Sequence, residues 1–325
     1  MTADAAPRPT LGDRRPRLSG AARRRVALFI RVFALGALAA WSLATPGFLS
    51  PLSIISLLNA VSFIGCVAVG MTFITLTGNI MSLCLGVTLS AAALVFLSSL
   101  ALGIIGALAV ALLFGIAVTA AQGALVGYFR ANPILVSIAA LALITGISEL
   151  VTGGQRIYPA AAGFELFRGR LGGLPVPALI FFAAVAIGEI VLQGTRFGRA
   201  MRMVGSNWRA AELVGIRTER VVAGAYALAG AFAGLSGVLL AARYGSGDME
   251  LGAGYDYSAI AAVLVGGTAI QGGQGSVLRT MIGVTVIAAV QVVLLLRGFD
   301  EQLQYLVTGL IVLGVIMLHT IGERE

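Results

Sequence analysis

From Val32 to Phe129 the chain runs 98 residues without one Asp, Glu, Lys or Arg. A helix in a soluble domain needs one solvated face, and that face does not stay uncharged over such a length. A bilayer span takes about 20 apolar residues, so the stretch has room for about four. Its apolar runs are continuous instead of alternating with period two, which argues against a transmembrane barrel. The whole chain agrees, at 58% hydrophobic and 11% charged residues, against about 45–50% and 25% in soluble domains. The expected fold is all-α, a polytopic transmembrane helical bundle.

Apolar runs place about ten spans, near 26–44, 52–76, 80–100, 104–127, 133–151, 176–193, 221–242, 256–270, 276–296 and 302–319. Pro46 and Pro51 bracket the first turn, Asn132-Pro133 opens the fifth span, and Pro175 and Pro177 open the sixth. Residues 1–25 carry seven arginines and three prolines and read as a disordered basic cytoplasmic tail held at anionic head groups; no signal peptide and no nucleic-acid partner is expected. The membrane domain then covers 26–321, and 322–325 form a short cytoplasmic end. With the N-terminus inside, seventeen arginines fall on the cytoplasmic side and five outside, which predicts an N-in, C-in topology. The eighth run is short and ends in Gly266-Gly267-Thr268, and the second span meets the third through Thr77-Gly78-Asn79. Broken or short helices near the centre are therefore expected, as around transport paths.

Nothing in the chain has the pattern of an active site. Its 22 basic residues are all arginine, so it lacks the lysine of a phosphate-binding loop. If ATP drives the process, another subunit must bind it, and no cofactor is expected on this chain. Cys66 and Cys84 lie in apolar runs and read as structural thiols, and His319, the single histidine, reads as interfacial. No metal site and no catalytic residue is expected. Glu149, Glu189 and Asp256 lie near span ends, where solvated placements are expected. The absence of mid-span acids counts against an ion-coupled carrier and an intramembrane protease.

The cytoplasmic segment 194–220 differs from its surroundings. Ser206 or Asn207 can cap a short helix over 208–214 that Gly215 ends. Ala210 and Ala211 allow close approach, and Trp208 and Leu213 supply apolar anchors. Such a helix suits a groove on a soluble partner. An ordinary basic loop at the head groups fits the same residues.

Several ordered blocks decide between these. Thr195-Arg196-Phe197-Gly198-Arg199, then Gly205-Ser206-Asn207 with Ala210-Ala211 and Gly215-Ile216, then Ala233-Gly234 with Gly237, lead to Tyr255 with Ala259-Ile260-Ala261-Ala262-Val263 and Gly266-Gly267-Thr268, and to Gly272-Gly273-Gln274-Gly275. Upstream stand Arg130-Ala131-Asn132-Pro133-Ile134-Leu135-Val136 and Thr152-Gly153-Gly154-Gln155-Arg156-Ile157. From about residue 50 to 318 the chain resembles the ribose-type, or sugar and branched-chain amino-acid type, permeases of bacterial ABC importers. The resemblance implies a multi-pass inner-membrane permease pairing with a second permease subunit, as homodimer or heterodimer. It implies ABC ATPase subunits and an extracytoplasmic solute-binding protein as partners, with ATP on the ATPase. Asn207, Trp208, Arg209, Ala210, Ala211, Glu212, Gly215 and Ile216 would then form the coupling helix that docks on the ATPase. One departure stands out: where the family carries Gly-Gly-Ile-Asp-Leu-Ser-x-Gly, this chain has Gly78-Asn79-Ile80-Met81-Ser82-Leu83-Cys84-Leu85-Gly86, with methionine in place of aspartate.

The implied cargo is a small polar solute, a sugar first, with amino acids and nucleosides as alternatives. Asn59, Thr72, Thr75, Thr77, Asn79, Ser82 and Gln122 are the candidate path-lining groups, although a helix-packing hydrogen bond accounts for each singly. A path without fixed charge favours a neutral or zwitterionic solute. Arg156, Arg168 and Arg170 in the outer loop are candidate contacts for the binding protein. An ATP-independent secondary carrier or channel, and a scaffold that moves nothing, are the rival classes.

Overall fold

A computed structural model describes residues 45–79 and 81–323. The basic tail at 1–25, the first expected span at 26–44, Ile80, the final two residues and the His319 side chain lie outside the described residues. In chain order the helices are α1 (Pro51–Leu76), α2 (Leu85–Ser98), α3 (Ile104–Tyr128), α4 (Pro133–Thr152), α5 (Val176–Gly194), α6 (Arg196–Ser206), α7 (Trp208–Leu213), α8 (Thr218–Tyr244), α9 (Tyr255–Val265), α10 (Val277–Leu296) and α11 (Glu301–Glu323). Among the described residues, α1, α3, α4, α5, α8 and α10 are the six helices long and apolar enough to cross a membrane. A two-stranded antiparallel hairpin, Arg170–Leu171 with Leu174–Pro175, stands between α4 and α5.

The helix starts follow from local chemistry. Ser50 accepts the Ser53 N–H at 3.2 Å and Pro51 opens α1. Asn132 Oδ1 accepts the Ile134 N–H at 2.9 Å, with Pro133 in the first helical position of α4. Proline loses nothing there, because its missing N–H would have been an orphan donor.

Two expected spans are shorter than their apolar runs. The run at 80–100 gives a helix of 14 residues, α2, with 81–84 non-helical, and the run at 256–270 gives α9, which stops after 11 residues at Val265. At about 1.5 Å per residue neither bridges a hydrocarbon core about 30 Å thick. In both, glycine or polar residues interrupt an apolar stretch, and hydropathy alone does not register that break.

The core is built on α1 and α8, which run side by side. Ser236 of α8 donates to the Phe63 carbonyl at 2.8 Å, and Phe73 and Phe232 stack with centroids 5.9 Å apart. On the other flank, a Cβ at Gly115 of α3 would strike the Gly230 carbonyl of α8, so these helices touch backbone to backbone. By contrast, α4 leaves Leu135, Leu143, Ile147 and Leu150 exposed.

Connections gather at two ends. At one end, Arg130 meets Glu212, Gly127 meets Glu219, and Gly205 meets Leu76 and Gly273. At the other, Ile157 pairs with Gly247 through two 2.8 Å backbone bonds, and the Ala160 N–H donates to the Leu97 carbonyl.

Candidate coupling end and membrane path

The segment expected to dock is two helices joined at one residue. Thr195 Oγ1 accepts the Gly198 N–H at 3.1 Å to start α6. That helix turns Met201 and Val204 inward and carries Arg196, Arg199 and Arg202. Asn207 then ends α6 in extended backbone, and its Oδ1 accepts the Ala210 N–H at 3.1 Å to cap α7. The helix ends at Leu213, one residue before the expected 214, and Gly215 turns the chain at φ +84°. The Ile216 N–H closes the turn on the Ala211 carbonyl at 3.0 Å.

The two alanines face opposite ways: Ala211 is buried and Ala210 is exposed. Leu213 is 89% and Val214 71% exposed. Apolar side chains so fully presented beside charged ones suit a partner surface.

Arg130, in the turn between α3 and α4, completes this end. Its Nη2 donates to Glu212 Oε1 at 2.6 Å, and its guanidinium lies 4.0 Å from the Trp208 ring centroid. Arg209 covers the ring at 5.2 Å, so the indole is held by two guanidinium groups. Glu212 also accepts the Thr218 hydroxyl at 2.9 Å. Among the described residues Arg130 is the single non-glycine with positive φ, at 52°, a conformation that costs of order 1–3 kcal/mol. In the sequence Arg130 stands out only as the first residue of the Arg130–Val136 block. Its partner lies 82 positions away, and no local spacing signals it.

Directly behind α7, three stretches of backbone meet without side chains between them. A Cβ at Gly205 would overlap the Leu76 carbonyl oxygen and stand 2.5 Å from the Gly273 nitrogen, and one at Gly272 would overlap the Gly78 Cα. The Gly273 N–H donates to the Leu76 carbonyl at 3.0 Å. The end of α6, the break after α1 and the glycine-rich loop before α10 thus form one joint. Gly78 and Gly272 hold φ of +77° and +88°, so these positions need glycine for conformation as well as space.

The expected path-lining residues fall into two clusters and two single positions. Thr75, Thr77 and Asn79 sit at the joint; Thr75 donates to Met71 O at 2.9 Å, Thr77 to Ile74 O at 2.7 Å, and Asn79 Nδ2 to Thr77 Oγ1 at 2.8 Å. Ser82 and Gln122 meet around Cys84, where Gln122 Nε2 lies 3.6 Å from the sulfur, Ser82 Oγ accepts the Cys84 N–H at 3.3 Å, and Gln122 Oε1 has no partner among the described residues. Thr72 pairs with Thr280 at 2.8 Å across α1 and α10. Asn59 is buried further along α1, apart from the rest.

Two acids lie towards helix ends as expected but are engaged by backbone donors instead of solvated. Asp256 is buried, and its Oδ1 accepts the Gly86 N–H at 2.7 Å, which places a carboxylate at the N-terminus of α2. That is the segment in which Met81 replaces the family's aspartate. Glu189 of α5 accepts the Val277 N–H at 2.8 Å, the Leu278 N–H at 3.3 Å and the Ser276 hydroxyl at 2.9 Å, capping α10. Both serve orphan donors and the positive end of a helix dipole. Glu149 is exposed.

Of the outer-loop arginines, Arg156 pairs with Asp248 at 2.6 Å and Arg168 donates to the Arg243 carbonyl at 3.0 Å, closing the end of α8. Arg170 is exposed on the hairpin. Beside them, its own backbone N–H and that of Gly163 hold the Glu165 carboxyl below the usual range. Among the described residues no group of three or more His, Cys, Asp or Glu is placed to hold a metal.

The family described as "Branched-chain amino acid transport system / permease component" matches residues 53–316. The chain is 35% identical over 281 residues to the ribose import permease protein RbsC of Bacillus subtilis, covering 85% of this chain and 87% of that protein. It is 32% identical over 279 residues to the probable ABC transporter permease protein YphD of Escherichia coli, covering 85% and 84%. It is 28% identical over 285 residues to the L-arabinose ABC transporter permease protein AraH of Azospirillum brasilense, covering 87% and 83%. No solved structure gives a significant match.

Proposed function

The chain belongs to the branched-chain amino acid transport system / permease component family, as a ribose-type ABC permease and a multi-pass membrane protein, and from that premise we propose that it forms the translocation path of an ATP-driven sugar importer. ATP is bound and hydrolysed on separate ABC subunits, an extracytoplasmic binding protein delivers the solute, and a second permease subunit completes the path. In this reading the chain crosses the inner membrane about ten times, N-in and C-in, with non-helical residues extending the short α2 and α9 across it and the lipid-facing side of α4 against acyl chains. Seventeen arginines on one side support that orientation.

The observation that carries the reading is the α6–α7 end. A short capped helix presents Leu213 and Val214 to solvent, is fastened by Arg130 and Glu212, and abuts through Gly205 the break that holds Thr75, Thr77 and Asn79. In this reading the ATPase grips α7, and its closure moves the joint as a unit, shifting the path between two states. Arg156 and Arg168 are engaged within the chain, which leaves Arg170 as the more available contact for the binding protein.

Co-purification with the ATPase subunits tests the docking. Ala210→Arg and Leu213→Arg place a charge on the exposed face without touching buried Ala211. Loss of the ATPase from the purified complex is expected for both. Retention of the ATPase in both, with full transport, would remove α7 as the docking element.

A further inference from the structure

A cavity of about 150 Å³ lies between the first turn of α9, α10 and the start of α11, with Ile64 of α1 on its wall. Ile64, the fourteenth of the 26 residues of α1, closes its inner wall, while Tyr255, Gln304 and Tyr305 lie in the first turns of α9 and α11. Its lining is polar all the same. Ser258 is 3% exposed and accepts a hydrogen bond from Gln291 Nε2 at 3.0 Å. Gln304 is half-buried, and its amide has no hydrogen-bond partner among the described residues. Tyr305 reaches across to donate to the Ala253 carbonyl at 3.2 Å.

We propose that this cavity is a contact site for a neutral, polyhydroxylated solute on its way through the membrane, with Ser258, Gln291 and Gln304 as the hydrogen-bonding groups. The amides and the hydroxyl each donate and accept, which matches hydroxyl groups on a solute. No charged side chain lines the space. Asp256, two residues before Ser258, is turned to Gly86 of α2. An ionic solute would lose its hydration here without gaining a counter-charge, a cost that a neutral one avoids. The Tyr305 ring at the rim adds an apolar face suited to the C–H side of such a molecule. The half-buried Gln304 amide is left for water or a ligand to satisfy. The site sits where α9 begins after a non-helical segment, the kind of helix break that lines transport cavities.

The inference rests on the permease reading, so the experiment separates the two. The full importer, with its ATPase subunits and binding protein, is reconstituted in vesicles and given D-ribose or L-arabinose. Gln291→Leu and Gln304→Leu are expected to lower the solute moved per ATP hydrolysed by about tenfold, the scale of one or two lost hydrogen bonds. A packing defect would lower transport and hydrolysis together, and Gln304, at the rim, gives a second reading should Gln291→Leu fail to assemble. If the parent importer moves sugar and neither variant changes the ratio, the cavity is a packing gap and Gln291–Ser258 a helix-to-helix bond. If the parent moves neither sugar, the cargo reading itself fails and the inference falls with it.

Discussion

The Arg130 guanidinium bonds the Glu212 carboxylate at 2.6 Å while lying 4.0 Å from the Trp208 ring, and so fastens the turn after α3 to α7. The side chains of Arg130 and Glu212 are 54% and 37% exposed. Screened by water, that ion pair contributes about 0.5 kcal/mol, and the cation–π contact about as much again. Arg130→Ala is therefore expected to shift the melting temperature by only about 2 °C. Its effect should appear in coupling, because α7 loses its tie to α3 and α4. Solute moved per ATP should fall several-fold in reconstituted vesicles, and a ratio equal to the parent's would mean the tie carries no motion.

The glycine joint gives a sharper stability test. Gly205→Ala places a Cβ on the Leu76 carbonyl oxygen and beside the Gly273 nitrogen, and backbone atoms yield poorly. The expected cost is about 1–3 kcal/mol. Gly146→Ala, in α4 with nothing within 4 Å of the added atom, is the control and should be neutral or stabilising by up to about 1 kcal/mol. Thermal unfolding in detergent ranks them, and equal melting temperatures would show that the joint is loose.

Asp256→Ala leaves the Gly86 N–H unpaired in a buried place and should destabilise by about 1–3 kcal/mol. Asp256→Asn keeps an acceptor oxygen and should lose less. If the two variants unfold alike, the carboxylate does not serve the start of α2 as described.

Glu189→Ala strips three hydrogen bonds from the first turn of α10, at an expected cost of about 1–2 kcal/mol. Glu189→Gln retains one acceptor and should fall between the parent and the alanine variant. Denaturant or thermal titration checks the order, and an alanine variant as stable as the parent would contradict the cap.

The six long helices were legible because apolar runs and prolines mark them directly, as at Pro51, Asn132-Pro133 and Pro175. The short helix α7 was legible to within one residue because its cap, Asn207, and its stop, Gly215, act locally. What escaped was non-local. Asp256 and Gly86 are 170 positions apart and Glu189 and Val277 88 apart, so acids that read as solvated span ends prove to be helix caps. Nor does hydropathy distinguish a full span from the shorter α2 and α9, since an apolar residue counts the same in either. Gln291 is a lone amide in an apolar helix and Gln304 reads as one of several polar residues at a helix start; only the fold brings them to one cavity.

In the proposed function, this chain moves a sugar only when ATP is hydrolysed by partner subunits. Vesicles holding the permease with its ATPase subunits, supplied with the binding protein and labelled D-ribose, should accumulate label with ATP present, and should take up none when the ATPase subunits are left out. Uptake that persists without them would contradict the account and mark the chain as a carrier or channel in its own right.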